Sequence, residues 1–318
     1  MNLATRYLGL PLRSPFVVGA SPLCDDAHLA RQLQDAGAGA VVMRSLFEEQ
    51  LAPLVPEVFG DAGLGFPEYA DYQLSPDRYL RQLELLKAQL SLPVIASLNG
   101  HQPGAWTEFA VQLENAGADA IELNFYQVVT DPAIAADQVE TEMLRTVGEV
   151  AAAVRLPVAV KISPFHSSVA QLAIALELVG AAGLVLFNRF FQPDVDPATL
   201  EVRPVLRLSE PSELLLRLRW LAILSPQVRG SLAASGGVHS APDAAKALLT
   251  GAHAVQLVSV LLRHGPPVLR TLLRGLEIWM QEQGFATLAD FRGRLNLARC
   301  RDPAAFERAN YIRALQSH

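Results

Sequence analysis

A closed (β/α)8 barrel is the fold that this 318-residue chain predicts, and three observations carry that reading. Short apolar runs recur along the chain, eight in all, in two sets that strictly alternate. Stretches with helical spacing separate most of them. The runs are nearly continuously apolar, as strands of a parallel sheet covered on both faces are. Strand-helix alternation over this length points to one barrel domain spanning 1–318. A doubly wound open sheet is the alternative, but no GxGxxG follows the first run.

The elements follow in order. One strand set is "SPFVVGAS" (14–21), "LPVIASL" (92–98), "LPVAVKI" (156–162) and "VRGSLAA" (228–234). The other is "AGAGAVVM" (36–43), "AGADAIEL" (116–123), "GAAGLVLF" (180–187) and "TGAHAVQL" (250–257). Between them, "DDAHLARQLQDAG", "PDRYLRQLELLKAQL", "WTEFAVQLENAG", "QVETEMLRTVGEVAAAV", "SVAQLAIALELVG", "SELLLRLRWLAIL" and "APDAAKALLTG" place apolar residues three and four apart. Asp25, Ser75-Pro76 and Ser240 are helix entry signals, and Gly37, Gly117 and Gly251 sit where helices should end. The tail "PPVLRTLLRGLEIWMQEQG" reads as further helix. Residues 44–75 and 188–211 are longer than a minimal barrel needs. Following strands two and six, they belong on the C-terminal face, where barrel enzymes bind substrates.

Bulk properties narrow the class. The chain is 51% hydrophobic and 18% charged, enough to bury a large core, and its formal charge of −6 argues against general nucleic-acid or membrane-surface binding. Two cysteines, Cys24 and Cys300, lack CxxC spacing, which fits a reducing compartment and offers no cysteine metal site. HxH and HExxH are absent as well. The opening MNLATRYLGLPLRSP is polar and broken by Gly9 and Pro11, unlike a signal peptide, and no run reaches the length of a membrane span. A cytoplasmic protein is expected.

The strand ends concentrate polar residues. Ser235, Gly236 and Gly237 follow strand seven, where barrels often hold phosphate on freed backbone amides and a helix dipole. A plain tight turn is the other reading of a glycine pair. Ser259, just past strand eight, could add a hydrogen bond. Strand one ends in Ala20-Ser21, strand two in Arg44-Ser45, strand three in Asn99-Gly100-His101, strand four in Asn124, strand five in Lys161 and strand six in Asn188-Arg189. A lysine amid apolar residues on a central strand is costly unless it meets a negative partner or its stem carries the charge to water. Asn124 and Asn188 are ligand groups or amides that brace loops. His101, His166 and His239 are candidate bases or solvated loop residues.

Taken together, "YLGLPLRSPFVVGAS", "ELN", "VKISP" and "SGGV" resemble the opening and the strand-four, strand-five and strand-seven signatures of the dihydroorotate dehydrogenase family, soluble class 1 type, across nearly the whole chain. No membrane-docking extension precedes strand one. The resemblance implies FMN on the C-terminal face. Ala20, Ser21 and Ser45 would line the flavin, and Asn124 and Lys161 would hydrogen-bond its ring edge. Ser235, Gly236, Gly237 and Ser259 would hold its phosphate. In the family reaction a base takes a proton from C5 of dihydroorotate while C6 gives hydride to the flavin. A homodimer is implied as well.

The chain departs from that pattern at the chemistry. Gln127, in "NFYQVVTDP", stands where class 1 members carry a cysteine base, and an amide cannot take the proton. Arg44 stands for the family's lysine. "GDAGLGFPEYADY" lacks the asparagine-bearing orotate loop, "VLRLSEPSE" lacks a glycine pair, and Val258 replaces a glycine. The expected protein is therefore an FMN-dependent oxidoreductase, either of dihydroorotate or of another small anionic substrate held by Arg44 and Arg189, with Asn188 in the site. For the base the candidates are Tyr126, His101, a water on Gln127, or no base at all. Two alternatives remain: a non-redox aldolase or isomerase using Lys161, and an inactive barrel that still binds FMN.

Overall fold

The computed structural model describes residues 1–50, 75–100, 105–189, 192–203, 206–307 and 315–316. Eight parallel strands form the barrel: β1 (Phe16–Val18), β2 (Ala40–Val42), β3 (Val94–Asn99), β4 (Ala120–Asn124), β5 (Val158–Ile162), β6 (Gly183–Leu186), β7 (Ser231–Ser235) and β8 (Ala254–Leu257). Each pairs with the next in sequence. β8 pairs back onto β1 through Val255 and Phe16, which closes the cylinder. Every apolar run predicted as a strand contributes one wall element.

The helices are α1 (Ala27–Ala36), α2 (Pro76–Gln89), α3 (Ala105–Asn115), α4 (Ala136–Ala153), α5 (Val169–Leu178), α6 (Leu214–Leu224), α7 (Ala241–Thr250), α8 (Ser259–His264) and α9 (Pro267–Glu282), and all but α8 match predicted stretches. Ser75 and Ser240 cap α2 and α7 as expected, each accepting a backbone N–H on its hydroxyl. At α1 the cap is Asp26, which accepts from His28 N–H; the expected Asp25 instead pairs with Arg44. Two features lie outside the sequence reading. α8 is a short turn straight after β8. The insertion after β6 carries an exposed antiparallel hairpin, Asp194–Asp196 with Glu201–Arg203.

Two cores follow from strand alternation. One fills the cylinder with Val17, Ala40, Val42, Ile95, Ala120, Ala159, Val185, Ala233 and Ala254. The interior residues are mostly small because Tyr7, Leu8 and Leu12, from the hairpin Thr5–Tyr7 with Leu10–Leu12, close the cylinder's N-terminal end. Leu8 N–H donates to Ser231 Oγ at 2.9 Å and the Thr5 hydroxyl to His253 carbonyl at 3.1 Å, so the plug is pinned to β7 and to the residue before β8. The second core lies between the sheet and the helices. No described helix is long and apolar enough to cross a membrane.

His253 ties stability to pH at this closed end. Its Nδ1 accepts the Leu232 N–H at 3.1 Å, and burial, with Arg292 adding to it, pushes its pKa down to about 4. The unfolded chain takes up this proton below about pH 6.5, and the folded chain only near pH 4. Stability from His253 is thus whole at neutral pH and lost as pH falls through that window. Urea unfolding should show the parent losing about 2 kcal/mol more between pH 7 and pH 5 than His253→Asn, which keeps an acceptor but does not titrate.

Candidate active site at the barrel mouth

Above the apolar interior, the same alternation turns polar. β4 points Ala120, Glu122 and Asn124 along one face, β5 points Ala159 and Lys161, and β8 points Ala254 and Gln256. Gln256 Nε2 donates to Glu122 Oε2 at 2.5 Å, and Lys161 Nζ lies 3.7 Å from Glu122 Oε1. That separation makes an ion pair but not a hydrogen bond. The Lys161 side chain is 9% exposed, and no described residue offers its Nζ an acceptor in hydrogen-bond reach. At the rim, Asn188 Nδ2 donates to Asn124 Oδ1 at 2.6 Å and to Phe125 carbonyl at 3.2 Å. The two asparagines are therefore neighbours, each bracing the other, with Asn124 Nδ2 left over as a donor. A short strand, Leu46–Phe47, extends the wall beside β3 and brings Ser45 Oγ to 2.7 Å from Ser97 Oγ.

The turn after β7 holds two glycines in the left-handed region, Gly236 at φ +92° and Gly237 at φ +83°. Space demands glycine as well as conformation. A Cβ on Gly237 would lie 2.4 Å from the backbone nitrogen of Leu214, at the start of α6, and one on Gly236 would lie 3.2 Å from the Arg217 guanidinium. Arg217 is buried; its Nε donates to Ser235 carbonyl at 3.0 Å and its Nη1 to Glu213 carbonyl at 2.9 Å. Gly237 N–H reaches Ser209 Oγ at 3.3 Å, while Ser209 N–H donates to Ser259 Oγ at 2.9 Å. The Ser259 hydroxyl is thus an acceptor here, its own proton still to be placed. Gly236 and Val238 N–H have no acceptor among the described residues. His239 stands 3.4 Å from Ser209 Oγ, with its pKa lowered first by burial and then by Arg263.

Several other expected residues are engaged within the chain. Arg44 hydrogen-bonds Asp25, and burial and Arg78 lower its pKa. Arg189 meets both carboxylate oxygens of Glu213 at 2.5 Å. Both guanidiniums already carry a counter-ion. Ser21 spends its hydroxyl on Gly19 carbonyl at 2.9 Å, next to half-buried Ala20. Gln127 is half-buried and lines a cavity of about 430 Å³ between the segments after β4 and β5, away from the glycine turn. His166 lines it too, 3.3 Å from Glu140. Burial pushes the Cys24 thiol up to about 12, so it supplies no thiolate. His101 and the segment 60–72 lie outside the described residues.

The residues the sequence reading passed over are Glu122, Gln256, Ser209 and Arg217. For the first two a signal existed. Glu122 stands two before Asn124 and Gln256 two before Val258, so strand alternation sends both inward with the expected site.

Fold and candidate site together define a closed (β/α)8 barrel with a lysine-bearing polar mouth and a glycine turn after β7. Relatives narrow it. The chain is 29% identical over 92% of its length, and 97% of the relative's, to an Aeropyrum pernix protein provisionally named dihydroorotate dehydrogenase A (fumarate). It is 27% identical, with the same coverage, to the catalytic subunit of dihydroorotate dehydrogenase B (NAD(+)) of Methanothermobacter thermautotrophicus. It is 26% identical to the NAD-dependent dihydropyrimidine dehydrogenase subunit PreA of Escherichia coli K12, across 93% of this chain and 77% of that one. No family model matches. Over about 92% of its length the chain is thus similar, at 23–29% identity, to members of the dihydroorotate dehydrogenase family.

Gly237→Ala forces both a strained φ and a collision with the first residue of α6. Its expected cost is about 2 kcal/mol or more, read as a lower urea midpoint, whereas a surface change costs within about 0.5 kcal/mol.

Proposed function

We propose that this protein is an FMN-dependent oxidoreductase of dihydroorotate dehydrogenase type, acting on a small anionic substrate. The observation that carries the reading is the Lys161 ammonium, nearly buried at the end of β5 with N–H donors that no described side chain or carbonyl takes up. A flavin ring edge supplies the acceptors such a group lacks. Asn124 Nδ2 beside it adds a second donor. At the other end, the free amides of Gly236 and Val238, the Ser259 hydroxyl and the nearby Arg217 charge suit a phosphate. Ser209 already leans on Gly237 N–H, so a phosphate there would share that turn with a hydroxyl. The residues present fit FMN at the ring end, and at the phosphate end they fit it with Ser209 as part of the lining.

Bound FMN would supply hydride acceptance or donation at its ring. The chain's own contribution is electrostatic and positional. Lys161 favours negative charge developing on the ring edge. The Asn124–Asn188 pair fixes an amide at the rim, and Ala20, Ser21 and Ser45 follow β1 and β2 at the same end of the barrel. Arg44 and Arg189 each have five N–H donors, so a carboxylate already bound to one still leaves donors for a substrate anion. Gln127 has no basic atom, and Cys24 is held as a thiol by burial. Neither of these two groups can take a proton from carbon. A nucleophilic role for Lys161 is less well supported, because its ion pair with Glu122 is lost if the ammonium gives up its proton.

The absorption spectrum of purified protein tests the proposal. Flavin bands, with about one FMN released per chain on denaturation, are expected, and Lys161→Met should weaken FMN binding by about tenfold, on the order of one charge-assisted hydrogen bond. Anaerobic dihydroorotate should bleach the flavin slowly or not at all. A colourless protein that takes up no added FMN would overturn the reading.

A further inference from the structure

Glu122 lies wholly inside the barrel, one layer below the strand ends, and the chemistry above makes no use of it. Its side chain is 1% exposed. Oε2 takes the Gln256 amide at 2.5 Å, while Oε1 has no hydrogen-bond partner and faces Lys161 Nζ at 3.7 Å. Two other buried atoms nearby are unpartnered, Gln256 Oε1 and the Tyr7 hydroxyl. The apolar wall and the hairpin plug keep water from the underside. A carboxylate so placed persists only beside a cation, and Lys161 is the one at hand among the described residues. At this separation, and away from bulk water, the two charges act on each other several times more strongly than at the surface.

The arrangement is directional. Lys161 sits on the mouth side and Glu122 beneath it, so anything resting on the ammonium feels the lysine first and the carboxylate behind it. Resting on the flavin reading, we propose that Glu122 is a positioning residue: it holds the Lys161 ammonium in the mouth and offsets part of its positive potential, which makes bound flavin harder to reduce. Two-electron reduction of the ring adds negative charge near Lys161. A lone buried lysine would favour that strongly, and the pair favours it less.

The test uses full-length, FMN-loaded protein: the parent, Glu122→Gln, Glu122→Asp, Lys161→Met and the double variant Glu122→Gln/Lys161→Met. Dye equilibration gives the ratio of reduced to oxidised flavin, and urea midpoints give stability. Glu122→Gln is expected to raise that ratio tenfold or more at a fixed reference potential, about 30 mV for two electrons. Glu122→Asp keeps the charge but draws it back, so it should fall between Gln and parent, and Lys161→Met should lower the ratio. Each single neutralisation should lower the urea midpoint, and the double variant should regain part of the loss, because neither charge is then stranded. If Glu122→Gln does not fold, the Asp variant decides, and a ratio no higher than the parent's counts against the proposal. A Glu122→Gln ratio within twofold of the parent, or a double variant no more stable than the worse single, overturns it. A parent that binds no flavin fails the flavin reading, and the inference falls with it. Bound flavin whose ratio does not move sinks the inference alone.

Discussion

Strand alternation inside a closed cylinder is the constraint on which the rest depends. Once β8 pairs with β1, every second residue of every strand must face a narrow interior. The lower layers are filled by alanines, valines and the hairpin's Tyr7 and Leu8. The next layer up must hold whatever the strands carry two residues further on. On β4 and β8 that is Glu122 and Gln256, and on β5 it is Lys161, which pairs in register with Asn124 on the mouth side of Glu122. A carboxylate, an ammonium and an amide thus meet because the register leaves them nowhere else to go.

The consequence is a mouth whose charges are largely paired within the chain. Lys161 faces Glu122, Arg44 holds Asp25 and Arg189 holds Glu213. The first pair is buried and the other two are partly open to water. In the open pairs the attraction is worth about 1 kcal/mol or less, so an incoming anion can compete for the guanidiniums at small cost. In the buried pair, competition would strand a charge. The arginines are therefore the adjustable part of this surface, and Lys161 with Glu122 is the fixed part.

Most of the fold was legible in the sequence because barrel strands and their covering helices have strong local signatures. The eight runs and the seven helical stretches each found their element. The error at the start of α1 has a local cause: Asp25 and Asp26 are both competent caps, and the choice was made by Arg44, a residue of the next strand end that local sequence does not report. The hairpin after β6 pairs strands only three residues long with exposed side chains, so no apolar pattern marks it. At the site, Lys161, Asn124 and the glycine pair stand out in the sequence because each breaks an apolar run or permits an unusual φ. Glu122 and Gln256 break runs in the same way. Their roles depend on cross-barrel neighbours more than 130 residues apart, and only the closed sheet reveals those.

The turn after β7 shows how a departure from a family pattern can be absorbed locally. The segment before α6 lacks a glycine pair and carries Ser209, Glu210 and Glu213 instead. Ser209 bridges Gly237 N–H to Ser259, so the hydroxyl fills room that bare backbone would leave open. The added carboxylates should make this corner less welcoming to an anion. Glu213, however, is drawn onto Arg189, and its backbone carbonyl and carboxylate both lie near Arg217. Arg217 is buried behind Gly236, with burial lowering its pKa and Glu213 opposing that shift. The buried Arg217 guanidinium thus lies directly behind Gly236, whose amide has no acceptor among the described residues. At 236 and 237 backbone angle and space both call for glycine, so the change before α6 is met by Ser209 and by Glu213 lying between Arg189 and Arg217.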